Sequence, residues 1–108
     1  MTEEQVIQAL SALAHPIRLK VFRALVVSGP RGLTPGVMQE GLAVPASTLS
    51  FHLKELVHSG LVKVQRDSRT LIYRAAYDSM NQVLGYLSDN CCEGAKCDVA
   101  GSALACGC

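Results

Sequence analysis

The feature that most constrains this chain is a change of hydrophobic period at Gly60. Ahead of it, from about Pro45 to Ser59, Leu49, Leu53 and Leu56 recur at the spacing of one helix face, while Ser47, Thr48, Phe51, Lys54 and Glu55 point elsewhere. Behind it, Leu61-Val62-Lys63-Val64-Gln65-Arg66 alternates apolar with mostly polar residues. Asp67-Ser68-Arg69 has turn chemistry, and Thr70-Leu71-Ile72-Tyr73-Arg74 reads as a returning strand. Gly60 supplies the left-handed stop. A helix therefore passes directly into a hairpin with a basic tip.

Upstream, Val6, Ile7, Leu10, Leu13 and Ala14 recur at helical spacing behind Thr2, which stands in capping-box register with Gln5, so residues 3–14 are expected to form an amphipathic helix. Pro16 suits the first turn of a second helix, whose stripe of Ile17, Val21, Phe22, Leu25 and Val26 runs to Ser28-Gly29-Pro30. Thr34-Pro35 starts a short helix through about Glu40, closed by Gly41, and Leu42-Ala43-Val44-Pro45 makes the turn. Met80, Val83, Leu84 and Leu87 mark a last helix capped by Asp78 or Ser79, and beyond Asn90 the periodicity ceases. The expected fold is mainly α with a small β-hairpin, a winged helix-turn-helix in the order α-α-α-α-β-β-α. Residues 1–90 are expected to form this folded domain, and residues 91–108 a cysteine-rich tail.

A hydrophobic content of 49% with 18% charged residues suits one globular domain. No run of about 18 apolar residues is present to span a bilayer, and Met1-Thr2-Glu3-Glu4-Gln5 is acidic where a signal peptide would be basic. A cytoplasmic protein without membrane partners is expected. The net charge of +1 conceals an uneven distribution: residues 15–74 hold nine of the ten basic residues against Glu40, Glu55 and Asp67, a local net charge of +6. A basic centre between acidic flanks suits a polyanion, although charges clustering by chance on a solvated surface would look the same.

Double-stranded DNA fits this order of elements, because an α-helix enters the major groove while a hairpin reaches the adjacent backbone or minor groove. Ser47, Thr48 and Ser50 lie in the early turns of the candidate recognition helix, where short hydroxyls bond base edges or phosphates. Arg66 and Arg69 would hold phosphates from the hairpin tip. Lys54 and Phe51 complete the candidate set, with Phe51 able to meet thymine methyls or to pack as core. His52, at the edge of the apolar face, is expected to be packed or to touch phosphate rather than to ligate metal.

Leu10-Ser11-Ala12-Leu13-Ala14-His15-Pro16-Ile17-Arg18-Leu19 and the stretch from Ser47 through Phe51-His52-Leu53-Lys54-Glu55-Leu56 to Gly60-Leu61-Val62 resemble the ArsR/SmtB family of metal-responsive repressors over about residues 5–88. The resemblance implies a homodimer built from the first and last helices, recognition helices in successive major grooves of an inverted-repeat operator, and derepression by a bound ion. The apolar stripes of residues 6–14 and 80–87 also call for burial of this kind.

All five cysteines, Cys91, Cys92, Cys97, Cys106 and Cys108, fall in the last eighteen residues. In a reducing compartment such a cluster is more often a metal site than a disulfide framework, and an odd number opposes simple pairing. The family's better-known arsenic sensors carry Cys-x-Cys before the recognition helix, where Leu33-Thr34-Pro35-Gly36-Val37-Met38-Gln39-Glu40 has no cysteine. Its zinc sensors use Asp and His pairs on the last helix, where Tyr77 to Leu84 has no histidine. Asn90-Cys91-Cys92-Glu93-Gly94-Ala95-Lys96-Cys97 resembles the branch of arsenic sensors whose site lies at the C-terminus. Three thiolates suit the trigonal coordination of arsenic(III) or antimony(III) as inducer. Cys106 and Cys108 are possible additional ligands, and no organic cofactor is implied. Zinc, cadmium or lead sensing and thiol-disulfide sensing remain alternatives. An arsenate reductase would need a nucleophilic cysteine with arginine nearby, whereas Lys96 is the sole basic residue of this tail, so no catalytic residue is assigned.

Overall fold

The computed structural model describes residues 1–89. Helix α1 (Glu3–Leu13) opens on the expected capping box: the Thr2 N–H donates to Gln5 Oε1 at 2.8 Å and the Gln5 N–H to Thr2 Oγ1 at 3.2 Å. Its buried face differs from the expected stripe. Val6, Ala9 and Ala12 turn inward, whereas Ile7 and Leu10 are exposed. Two alanines let α1 lie close on its neighbours, and that close seat rotates the bulkier side chains outward.

Helix α2 (Pro16–Ser28) starts at its proline, and His15 caps it by accepting the Ile17 N–H on Nδ1 at 3.1 Å. Val21, Phe22 and Leu25 are buried. A 3-10 turn (Gly29–Arg31) leads to Leu33, which pairs through two backbone hydrogen bonds of 2.8 and 2.9 Å with Tyr73. Helix α3 (Pro35–Leu42) does not stop at Gly41 as expected. It continues to Leu42, and Ala43 takes the left-handed conformation at φ 53°. The stop falls where the chain must turn into the next helix, even though alanine is strained there by about 1–2 kcal/mol.

Helix α4 (Ala46–His58) buries Leu49, Leu53 and Leu56 completely, and Gly60 follows at φ 86° as expected. Strands β1 (Val62–Asp67) and β2 (Thr70–Ala75) pair antiparallel from Val62 with Ala75 to Asp67 with Thr70. Asp67 thus belongs to the strand, leaving Ser68-Arg69 as a two-residue turn with Ser68 at φ 60°. Helix α5 (Tyr77–Ser88) begins earlier than expected, behind Ala76 rather than Asp78 or Ser79. The Ala76 N–H is held by the Leu61 carbonyl at 2.8 Å, so the helix starts directly off β2. Asp78 sits in its first turn, favourably placed for the helix dipole.

The core centres on Val21, Leu25, Met38, Leu49, Leu53, Leu56 and Leu61, packing α2, α3 and α4 with the base of the hairpin. Among the described residues no helix is long and apolar enough to cross a membrane.

Candidate nucleic-acid interface

Burial of the three leucines turns the opposite face of α4 outward. Ser47, Phe51 and Lys54, spaced three or four residues apart, form one exposed ridge with Ser50 beside Phe51, and Thr48 is half-buried next to it. Phe51 is 55% exposed and so is not core. Pro45 caps α4 without a side-chain hydrogen bond, which leaves its first-turn amides to meet an anion beside Ser47.

His52 departs from the expected DNA-contacting set. Only 6% exposed, it faces inward, where its Nδ1 accepts the Arg18 Nε–H at 3.1 Å and its ring lies 4.5 Å from that of His15. Its position three residues after Leu49 carries it to the buried side. Burial lowers its pKa below the ordinary 6.5, with His15 and Arg18 adding to the effect and Glu55 opposing it. Arg18 also places its guanidinium 5.7 Å from the Phe51 ring centre. Sequence reasoning missed this link. Its one available signal was the pairing of His15 with Arg18 at the start of α2.

On the hairpin, Arg66 and Arg69 are exposed at and near the tip. Arg74 is engaged at the base, donating to the Pro30 carbonyl at 2.7 Å and to Gln65 Oε1 at 2.6 Å. A cleft of about 570 Å³ runs between α4 and the hairpin, lined by Ser50, Lys54, His58, Val64 and Tyr73 among others. Behind this surface, the Tyr77 hydroxyl donates to the Val26 carbonyl at 3.0 Å, joining α5 to the end of α2.

Cys91, Cys92, Cys97, Cys106 and Cys108 lie outside the described residues. Helix α5 ends at Ser88, three positions before Cys91. Among the described residues no three His, Cys, Asp or Glu side chains gather where they could hold a metal ion.

A recognition helix with a polar and aromatic ridge, a preceding helix and tight turn, and a basic hairpin define a winged helix-turn-helix DNA-binding domain. Residues 13–65 match a helix-turn-helix domain family. An uncharacterized HTH-type transcriptional regulator, YceK of Bacillus subtilis, is 35% identical over 74% of this chain and 80% of its own length. NolR of Sinorhizobium fredii is 32% identical, with a TM-score of 0.63 over 86% of this chain and 88% of that one. A homodimeric winged helix-turn-helix DNA-binding domain from Mycobacterium bovis, described as a possible ArsR-family regulator, is 26% identical, with a TM-score of 0.64 over 81% of each chain. The chain belongs to the helix-turn-helix transcriptional regulators, and it shares its fold with regulators of the ArsR family.

Proposed function

We propose that this regulator represses transcription in the cytoplasm by binding a short inverted-repeat operator as a homodimer, and that capture of arsenic(III) or antimony(III) by Cys91, Cys92 and Cys97 releases it. The exposed ridge of Ser47, Ser50, Phe51 and Lys54 on α4 carries the DNA part of this reading, because it offers a groove hydroxyls, an apolar ring and a cation at helical spacing. Dimerisation is supported by α1 and α5, which pack together yet leave Ile7 and Leu10, and Tyr86 and Leu87, exposed. Two such helices from each protomer would bury these side chains across a twofold axis.

The thiol part rests on donor chemistry. Adjacent Cys91 and Cys92 offer two thiolates, and Cys97, five positions after Cys92, offers a third. Their place just after α5 means that drawing the three together pulls on a helix of the proposed dimer face and alters the spacing of the two α4 helices. Coupling of about 1–3 kcal/mol would weaken operator binding about 5–150-fold. The test is binding of the reduced protein to a duplex selected from random DNA, titrated anaerobically with arsenite, antimonite, zinc and cadmium in parallel. Release by arsenite and antimonite at the lowest concentrations is expected. Release by zinc or cadmium alone would overturn the metalloid assignment, and release only on oxidation would make the protein a thiol-disulfide sensor.

A further inference from the structure

Phe51 is an apolar ring, 55% exposed, on the otherwise polar outer ridge of α4. Arg18 reaches across to it from α2, its guanidinium carbon 5.7 Å from the ring centre, and its neighbour His52 presents a ring whose centre is 5.4 Å away at an interplanar angle of 69°. Arg18 is itself fixed, because its Nε–H is given to His52 Nδ1. His52 is fixed in turn by burial and by the ring of His15, whose Nδ1 is tied to the first turn of α2. From the start of α2 to the outer face of α4, each side chain is therefore set by the one before it. The bond from Arg18 also requires an unprotonated Nδ1, so His52 is neutral and its remaining proton sits on Nε2.

We propose that Phe51 reads the 5-methyl group of one thymine in each operator half-site, and that Arg18, anchored on neutral His52, is the positioning residue that aims it. The inference rests on the DNA-binding reading above and assigns one base preference within it. An exposed ring offers no hydrogen bond, and the apolar feature that the major groove presents to a helix is the thymine methyl. A ring free to change rotamer would contact that methyl only part of the time. A guanidinium over its face removes this freedom and retains its own charge beside the phosphates.

The experiment uses the full-length reduced protein and a duplex selected from random DNA, with each thymine replaced singly by deoxyuridine, which lacks only the methyl. One position per half-site should lose about fourfold in affinity, the worth of one buried methyl. Phe51→Ala should bind the thymine and deoxyuridine duplexes alike. Arg18→Lys and His52→Leu should lose most of the preference while remaining folded by circular dichroism, and His52→Gln, which keeps an acceptor for Arg18, should restore it. A flat deoxyuridine scan, or a preference that survives Phe51→Ala, overturns the proposal. A wild-type preference in Arg18→Lys overturns the positioning role. If no duplex is enriched at all, the DNA-binding reading fails and the proposal falls with it.

Discussion

At the scale of single residues, two positions hold the molecule in ways their identity alone does not reveal. Gly32 lies at φ +71°, and a Cβ built on it would stand 2.7 Å from the Tyr73 carbonyl oxygen, against the bridge that joins Leu33 to the hairpin. Gly32→Ala should destabilise the fold by about 1–3 kcal/mol from backbone conformation alone, with the clash adding to this. Gly36→Ala, where a Cβ meets nothing within 4 Å, should be neutral or stabilising by up to about 1 kcal/mol. Urea unfolding of the two variants checks both signs. His52 sets a pH dependence. Its folded pKa lies below the ordinary 6.5, for which burial is the first cause, so as pH falls the unfolded chain takes up the proton before the folded one does. Its contribution to stability is thus complete above pH 6.5 and is lost as pH falls through the lowered folded value. The urea midpoint should drop over that window, and His52→Gln should flatten the drop; equal slopes in the two proteins would contradict it.

At the scale of elements, the proposed DNA complex would divide recognition between α4 and the hairpin. Replacing Arg66 and Arg69 together by Ala should weaken binding to all duplexes alike, and should reduce the dependence of log affinity on log salt by about 1 for each phosphate that is no longer neutralised. Replacing Ser47 instead should change which duplexes are preferred. An unchanged salt slope in the double variant would remove the wing from the interface. The elements themselves were legible in the sequence because the leucines of α4 and the alternation after Gly60 follow periods that only one structure satisfies. Their ends were less so. Ala43 rather than Gly41 closes α3, where the chain turns into α4, and Ala76 rather than Asp78 precedes α5, because its N–H is held by the Leu61 carbonyl. The ridge on α4 and the packing of His52 could be foreseen from spacing, but the reach of Arg18 to His52 and Phe51 could not. That link depends on how α2 packs across α4, a contact between residues 34 positions apart.

At the scale of the whole molecule, α5 is the element that would couple the DNA-reading surface to the thiol cluster. Tyr77 ties the start of that helix to the end of α2, and its far end leads to Cys91. A helix bonded to the core at one end could transmit a pull from the proposed thiol site beyond its other end, whereas Cys106 and Cys108 stand further along the chain, after Ala100-Gly101-Ser102-Ala103. The most direct measurement is fluorescence anisotropy of a labelled operator across an anaerobic arsenite titration. It compares the wild type with Cys91→Ser, Cys92→Ser, Cys97→Ser and a chain truncated after Asp98. All five proteins should bind the operator, the wild type and the truncated chain should release it, and the three serine variants should release it weakly or not at all. Loss of the response on truncation, with Cys97→Ser still responding, would contradict the three-cysteine site and place the distal pair, Cys106 and Cys108, within it.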